Sequence, residues 1–131
     1  MNRAGNQRTG NSVLVPVAAD TVIREGVMVA VGADGYAAEA SKNTGMAIAG
    51  VSNSRTDNSG MGAGESIAVV ERGIFAMKND GTIKNTDVLK VCYVSAADTV
   101  TMTAEGSSVA GIIVGVEPDV VFVDMNRNCF E

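Results

Sequence analysis

The chain contains no histidine and no tryptophan, and aromatic residues make up only 4% of its 131 positions. Without histidine, the most frequent general acid–base and a leading metal ligand are both missing. Proton-transfer chemistry would fall to carboxylates, but Asp20, Glu25, Asp34, Asp57, Glu65, Asp80, Asp87, Asp98 and Glu105 are spread evenly among turn residues and strand positions. That scatter is typical of solubilising and turn-forming acids rather than of a catalytic pair. The shortage of rings leaves Val, Ile, Ala and Met to build the core. Each of these contributes less on burial than a large ring, so part of the stability is expected from contacts between subunits. Few rings also weigh against a surface that binds sugar faces by stacking.

Cysteine is equally sparse. Cys92 and Cys129 have no Cys-x-x-Cys spacing and no histidine to complete a zinc site, so neither a metal nor a cofactor is expected. Cys92, inside an apolar run, reads as a packed thiol, and Cys129 as a more accessible one. Basic residues are few as well: 10 Lys and Arg face 15 Asp and Glu, and Arg3 and Arg8 lie in an opening dozen residues that hold no acid. The remainder is left with a net charge of −7, a poor match for a phosphate backbone, so no direct nucleic-acid partner is expected. No apolar run approaches the roughly 18–20 residues of a membrane-spanning helix. The longest, "VAGIIVGV", is stopped by Glu117 and Pro118, and "MNRAGNQRTGNS" has no apolar stretch of the secretory kind. These features predict a soluble product of a cytoplasm with no membrane partner.

What the sequence does contain is a set of short Val-rich runs between turn residues: "SVLVPV", "GVMVAV", "MAIAGV", "SIAVV", "GIFAM", "DVLKVCYV", "TVTMT", "GIIVGV" and "DVVFVDM". Strand length, β-branching and Gly/Asn/Asp borders make this an all-β pattern. Residues 1–12 read as a flexible arm, and 13–131 as a single β-rich domain of the barrel or β-sandwich-like (β-tulip or β-clip) type with little helix. Asp34-Gly35 and Asp80-Gly81 are hairpin-turn dipeptides. In "TVTMT", Val100 and Met102 share one face and the threonines the other. "YAAEASKN" from Tyr36 is the only helical candidate, worth one or two turns. "REGVMVAVGADGYA" and "AGESIAVVERGIFA" echo each other as one hairpin recipe used twice.

Two stretches invite a sharper reading. "SGMGAGES" is glycine-rich, but a strand rather than a helix follows it, which excludes a phosphate loop. The whole stretch "SNSRTDNSGMGAGES" is expected to be a long flexible surface loop. Lys78, in "AMKNDG", occupies what reads as a hairpin tip and resembles the biotin-bearing lysine of carrier domains. Asn79 stands where those carriers have a second Met, and a lysine on the solvent face that discourages strand pairing accounts for it better.

Taken in order, Gly50-Val51, Gly64-Glu65, Gly73-Ile74-Phe75, Asp87-Val88 with Tyr93, and Gly115-Val116 resemble the capsid cement, or head decoration, proteins of tailed bacteriophages over about residues 22–126. The chain departs from that pattern at Thr86, where Gly is usual, and in a longer loop from Ser52 to Gly62. The resemblance implies a structural, non-enzymatic virion protein, made in the bacterial host cytoplasm and placed on the outer surface of the expanded head. It also implies that copies form trimers at three-fold positions and bind the major capsid protein. The arm would then reach the shell, with Arg3, Arg8, Asn11 and Ser12 as contact residues. Runs such as "VMVAV" and "GIIVGV", apolar on both faces, fit a subunit interface.

Overall fold

A computed structural model describes residues 12–125. All nine Val-rich runs form strands, and three short strands join them. In chain order the elements are β1 (Ser12–Pro16), β2 (Val22–Ile23), β3 (Met28–Val31), β4 (Ala37–Glu39), β5 (Ala47–Ser52), β6 (Thr56–Asp57), β7 (Ile67–Glu71), β8 (Ile74–Asn79), β9 (Val91–Ala96), β10 (Thr99–Thr101), β11 (Val109–Val116) and β12 (Val120–Asp124). A single 3-10 turn, Asn85–Asp87, is the whole helical content of the described residues. The chain is therefore an all-β protein built around a small closed barrel.

The strands form two principal units. An antiparallel sheet runs β1-β7-β5-β3-β4, and a five-stranded barrel closes in the order β10-β8-β12-β11-β9. All barrel pairings are antiparallel except β10–β8. Closure requires curvature, and the ladders shift register at Val114 between β11 and β12 and at Ala110 between β11 and β9, where bulges let a strand turn sharply. Beside these bulges Gly111 is indispensable as glycine, because a Cβ there would lie 2.5 Å from the Asp124 carbonyl oxygen.

Strand β3 is the wall between two cores. Since successive side chains point to opposite faces, Met28 and Ala30 pack with Met77, Val94, Val100, Ile113, Val121 and Val123 of the barrel. Val29 packs the other way, with Val15, Val17, Ile23, Ala68 and Val70. Cover for "VMVAV", which the sequence pattern suggested a neighbouring subunit would supply, thus comes from within the chain. Strand β5 does the same by a different device. A register shift at Ala49-Gly50 sends Ile48 and Val51 to the barrel core and Ala49 to the other. The Met28 N–H donates to the Ala97 carbonyl in the β9–β10 turn at 2.8 Å, tying sheet to barrel.

Several expectations are corrected. "YAAEASKN" holds strand β4, not a helix, because pairing with β3 outweighs the helix preference of its alanines. Asp34-Gly35 does turn the β3–β4 hairpin, but Asp80-Gly81 leads from β8 into the 3-10 turn and joins no paired strands. The second copy of the hairpin recipe fails for the same reason: β7 stays in the sheet and β8 enters the barrel. Thr101 is buried, and its hydroxyl lies 3.2 Å from that of Thr82. The stretch 52–66 is pinned rather than free. It contributes β6, paired with β2, and Asn58 is fully buried with Nδ2 donating to the carbonyls of Ala18 (2.8 Å) and Gly62 (3.1 Å).

Candidate interaction surface

Carboxylates positioned for catalysis are usually pushed upward in pKa by burial or by each other. Here every resolved carboxylate shift is downward. Hydrogen bonds from Arg24 hold Glu39 low despite partial burial, through Nε to Oε2 at 2.8 Å and a second guanidinium N–H to Oε1 at 2.9 Å. The Ser59 hydroxyl and N–H lower Asp57, and the Thr99 hydroxyl, aided by Lys78, lowers Asp98. Burial pushes Asp80 up but is outweighed by hydrogen bonds from Thr82 and Thr101. These are acids fastened by hydrogen bonds, ionised more readily than usual. A group whose folded pKa is depressed adds stability above its unfolded pKa and loses it as pH falls through the folded value. The melting temperature is accordingly expected to be flat near neutrality and to fall once pH drops below about 4; a maximum on the acid side of that point would contradict it.

Two shallow hollows mark the surface. One, of about 300 Å³, lies between Lys84, Asn85 and the β11–β12 turn at Glu117-Pro118. The other, of about 380 Å³, lies between Met46 and Ser107-Ser108-Val109. None of the four shifted carboxylates lines either, and no cluster of metal-ligating groups occurs among the described residues.

The distinctive chemistry of the surface is apolar. On the barrel's outer wall, cross-strand neighbours form a row Ile74, Asp124, Ile112, Val91 over β8, β12, β11 and β9, with Ala76, Phe122 and Gly115 in the next row. Ile74 is 56% exposed, and Val114, bulged out of β11, is exposed as well. The Phe122 ring lies against Gly115, where an added Cβ would sit 3.3 Å from it. Leu89, 73% exposed, stands at the end of this wall with Val88. It is held at φ +74°, a conformation that costs a non-glycine residue about 1–2 kcal/mol. Its N–H is bonded to the Ile113 carbonyl at 2.6 Å. No family model, curated protein or solved structure matches the chain.

A second apolar area lies on the sheet. Leu14 is 59% and Ile67 52% exposed, on the face of β1 and β7 opposite the core. Ser12, expected at the end of the arm, instead opens β1, its hydroxyl donating to Glu71 Oε2 at 3.0 Å. Arg3, Arg8, Asn11 and Cys129 lie outside the described residues. Cys92 is fully buried in the barrel core, as its apolar context predicted. Lys78 is not at a hairpin tip: it lies within β8, paired with Val120 on one side and Thr99 on the other, its Nζ 3.3 Å from Asp98.

Sequence reasoning missed the outward apolar residues. Leu14, Ile74 and Leu89 sit in runs that are apolar on both faces, where a period-2 pattern assigns no inside. Only the Asn85-Thr86-Asp87 turn before Val88-Leu89 hinted that the latter pair stood clear of a strand.

Proposed function

We propose that the chain is a structural virion protein, a cement or decoration protein that binds the outer surface of an expanded phage head and stabilises the lattice of the major capsid protein. The observation that supports it best is the apolar wall of the barrel, with Ile74 held outward by pairing with β12 and Leu89 by its main-chain hydrogen bond to Ile113. A clamp gains its binding energy from apolar area presented without an ordering cost and needs no reacting group. The ordered motifs from Gly50-Val51 to Gly115-Val116 support the same reading, falling at the bulge of β5, the turn into β7, the start of β8, the 3-10 turn and the end of β11. In this reading copies gather as trimers at three-fold positions, and Arg3, Arg8 and Asn11 meet acidic groups of the shell.

A biotinyl carrier role for Lys78 has less support. A lysine modified by another enzyme must project from a tight turn, and a strand flanked on both sides offers the modifying enzyme little backbone to grip. Intact-mass spectrometry of DNA-filled heads banded on a density gradient from the native source tests both readings. The expected result is this chain in near-stoichiometric amount with the major capsid protein, at its unmodified mass. Its absence from the particles would overturn the virion role, and a biotin-sized addition on Lys78 would restore the carrier.

A further inference from the structure

A strand edge left unpaired is a template on which another extended segment can lay itself. Barrel closure leaves one such stretch on β8. One flank of this strand is fully used: the Asn79 N–H donates to the Asp119 carbonyl at 3.2 Å and the Met125 N–H to the Gly73 carbonyl at 2.8 Å, so the odd-numbered residues bond toward β12. The even-numbered ones bond the other way, the Lys78 N–H reaching the Asp98 carbonyl at 2.9 Å. On that side β10 is only three residues long and meets β8 at Lys78 and Asn79 alone. Ile74 and Ala76, both exposed, therefore turn their main-chain N–H and C=O groups to a flank on which the described residues place no strand.

The same flank is occupied one bend earlier in the chain. β7 runs into β8 through Arg72-Gly73, and its even-numbered residues bond toward β1, since the Val17 N–H donates to the Ser66 carbonyl at 2.9 Å and bonding alternates along an antiparallel strand. β1 opens at Ser12, opposite Glu71. Along this edge the order is thus β1, a gap from Arg72 to Met77, and then β10. The chain ahead of Ser12 leaves β1 in the direction of that gap. We infer that residues 7–11 of this chain fill it, lengthening β1 along β8 as far as Ala76.

Register, sequence and charge each favour the chain's own segment as occupant. Continued in the register of Ser12 with Glu71, the segment sets Thr9 opposite Ile74 and Gln7 opposite Ala76. These odd-numbered residues keep the bonding side of Val13, Val15 and Val17. Glycines fall at both limits: Gly10 opposite Gly73, where the chain bends at φ +156°, and Gly5 opposite Lys78, where β10 takes over. Residues 1–12 hold Arg3 and Arg8 and no acid, against a net charge of −7 for the remainder, so the segment is attracted to the body it leaves. A long strand from another molecule would collide with β1 at one end of the gap or with β10 at the other. The added strand lies beside Ile74 and leaves its side chain outward, so the inference neither covers the apolar wall nor rests on the virion reading.

Hydrogen exchange of the full chain, followed residue by residue by nuclear magnetic resonance, tests the pairing. The Ile74 and Ala76 amides are expected to exchange about tenfold or more slowly than in a chain lacking residues 2–11, while those of Phe75 and Met77, which bond toward β12, exchange alike in both. Thr9→Pro removes the N–H that meets the Ile74 carbonyl and should speed both amides as the deletion does. Ala4→Pro, ahead of the gap, should speed neither. Far-ultraviolet circular dichroism and melting temperature confirm that each variant is folded. Equal rates at Ile74 and Ala76 with and without residues 2–11 would overturn the inference. So would protection that grows with protein concentration, which would assign the added strand to a second copy.

Discussion

Gly50→Ala is expected to be the most damaging single-methyl substitution in the chain. Gly50 sits in β5 at φ +149°, and an alanine Cβ there would lie 2.2 Å from the Glu71 carbonyl oxygen and 3.0 Å from a Val70 methyl. The nearer atom is main chain, so relief requires β5 and β7 to separate where Val51 and Ser52 pair with Glu71 and Val70. Main-chain strain alone is worth about 1–3 kcal/mol, and loss of the local ladder adds to it. A destabilisation of at least about 3 kcal/mol follows, a fall of more than about 10 °C in melting temperature for a domain of this size. Gly26→Ala is the control. Gly26 has φ +80° but no atom within 4 Å of the added carbon, so it should lose only the about 1–2 kcal/mol of a left-handed alanine. Equal losses at the two sites, read from urea midpoints, would show that the collision with Glu71 is not what matters.

Met28→Ala is the second large effect, and its interest is where the loss appears. Met28 is fully buried on the barrel side of β3, and truncation of such a side chain costs about 2–5 kcal/mol. Were sheet and barrel independent, only barrel amides would exchange faster. Because the next residue, Val29, anchors the second core and the Met28 N–H and carbonyl bind Ala97 and Ala40, both cores should weaken together. Native-state hydrogen exchange is expected to show similar loss of protection at Val70 and Val123. Acceleration confined to Val123 would mean that β3 separates two cooperative units instead of joining them.

The same strand shows where sequence reasoning succeeds and where it stops. "VMVAV" between Gly26 and Gly32 is legible as a strand from β-branching and borders, and the requirement for cover on both faces is legible too. What covers it is not, because a second core in the same chain and a neighbouring subunit leave the same local pattern. "YAAEASKN" was misjudged since alanine favours helix until a sheet partner is present, and β4 has that partner only through the Asp34-Gly35 turn. Lys78 and Asp80-Gly81 look like a hairpin tip from their spacing, yet the strands that flank Lys78 come from Val120 and Thr99, about 40 and 20 residues away respectively. In the stretch 52–66 the polar composition hid Asn58, whose burial depends on carbonyls at Ala18 and Gly62. For the candidate surface, the apolar runs were readable, but which of their residues face outward was not. That depends on the Val17–Ala37 bridge and on barrel closure, both made by residues distant in the chain.

Barrel closure also has a temporal side. Among the described residues β12 is the last strand in chain order, and it is the stave between β8 and β11, while the β10–β8 contact is parallel and cannot arise from a simple hairpin. Until residues 120–124 are available, β8 and β11 each present a bare flank and the cavity meant for Val121 and Val123 stands open to water. The nascent chain therefore passes through a stage in which it is most adhesive just before it becomes least so. Its folding should be slow in the manner of proteins rich in distant contacts, and the docking of β12 acts as the step that commits the molecule.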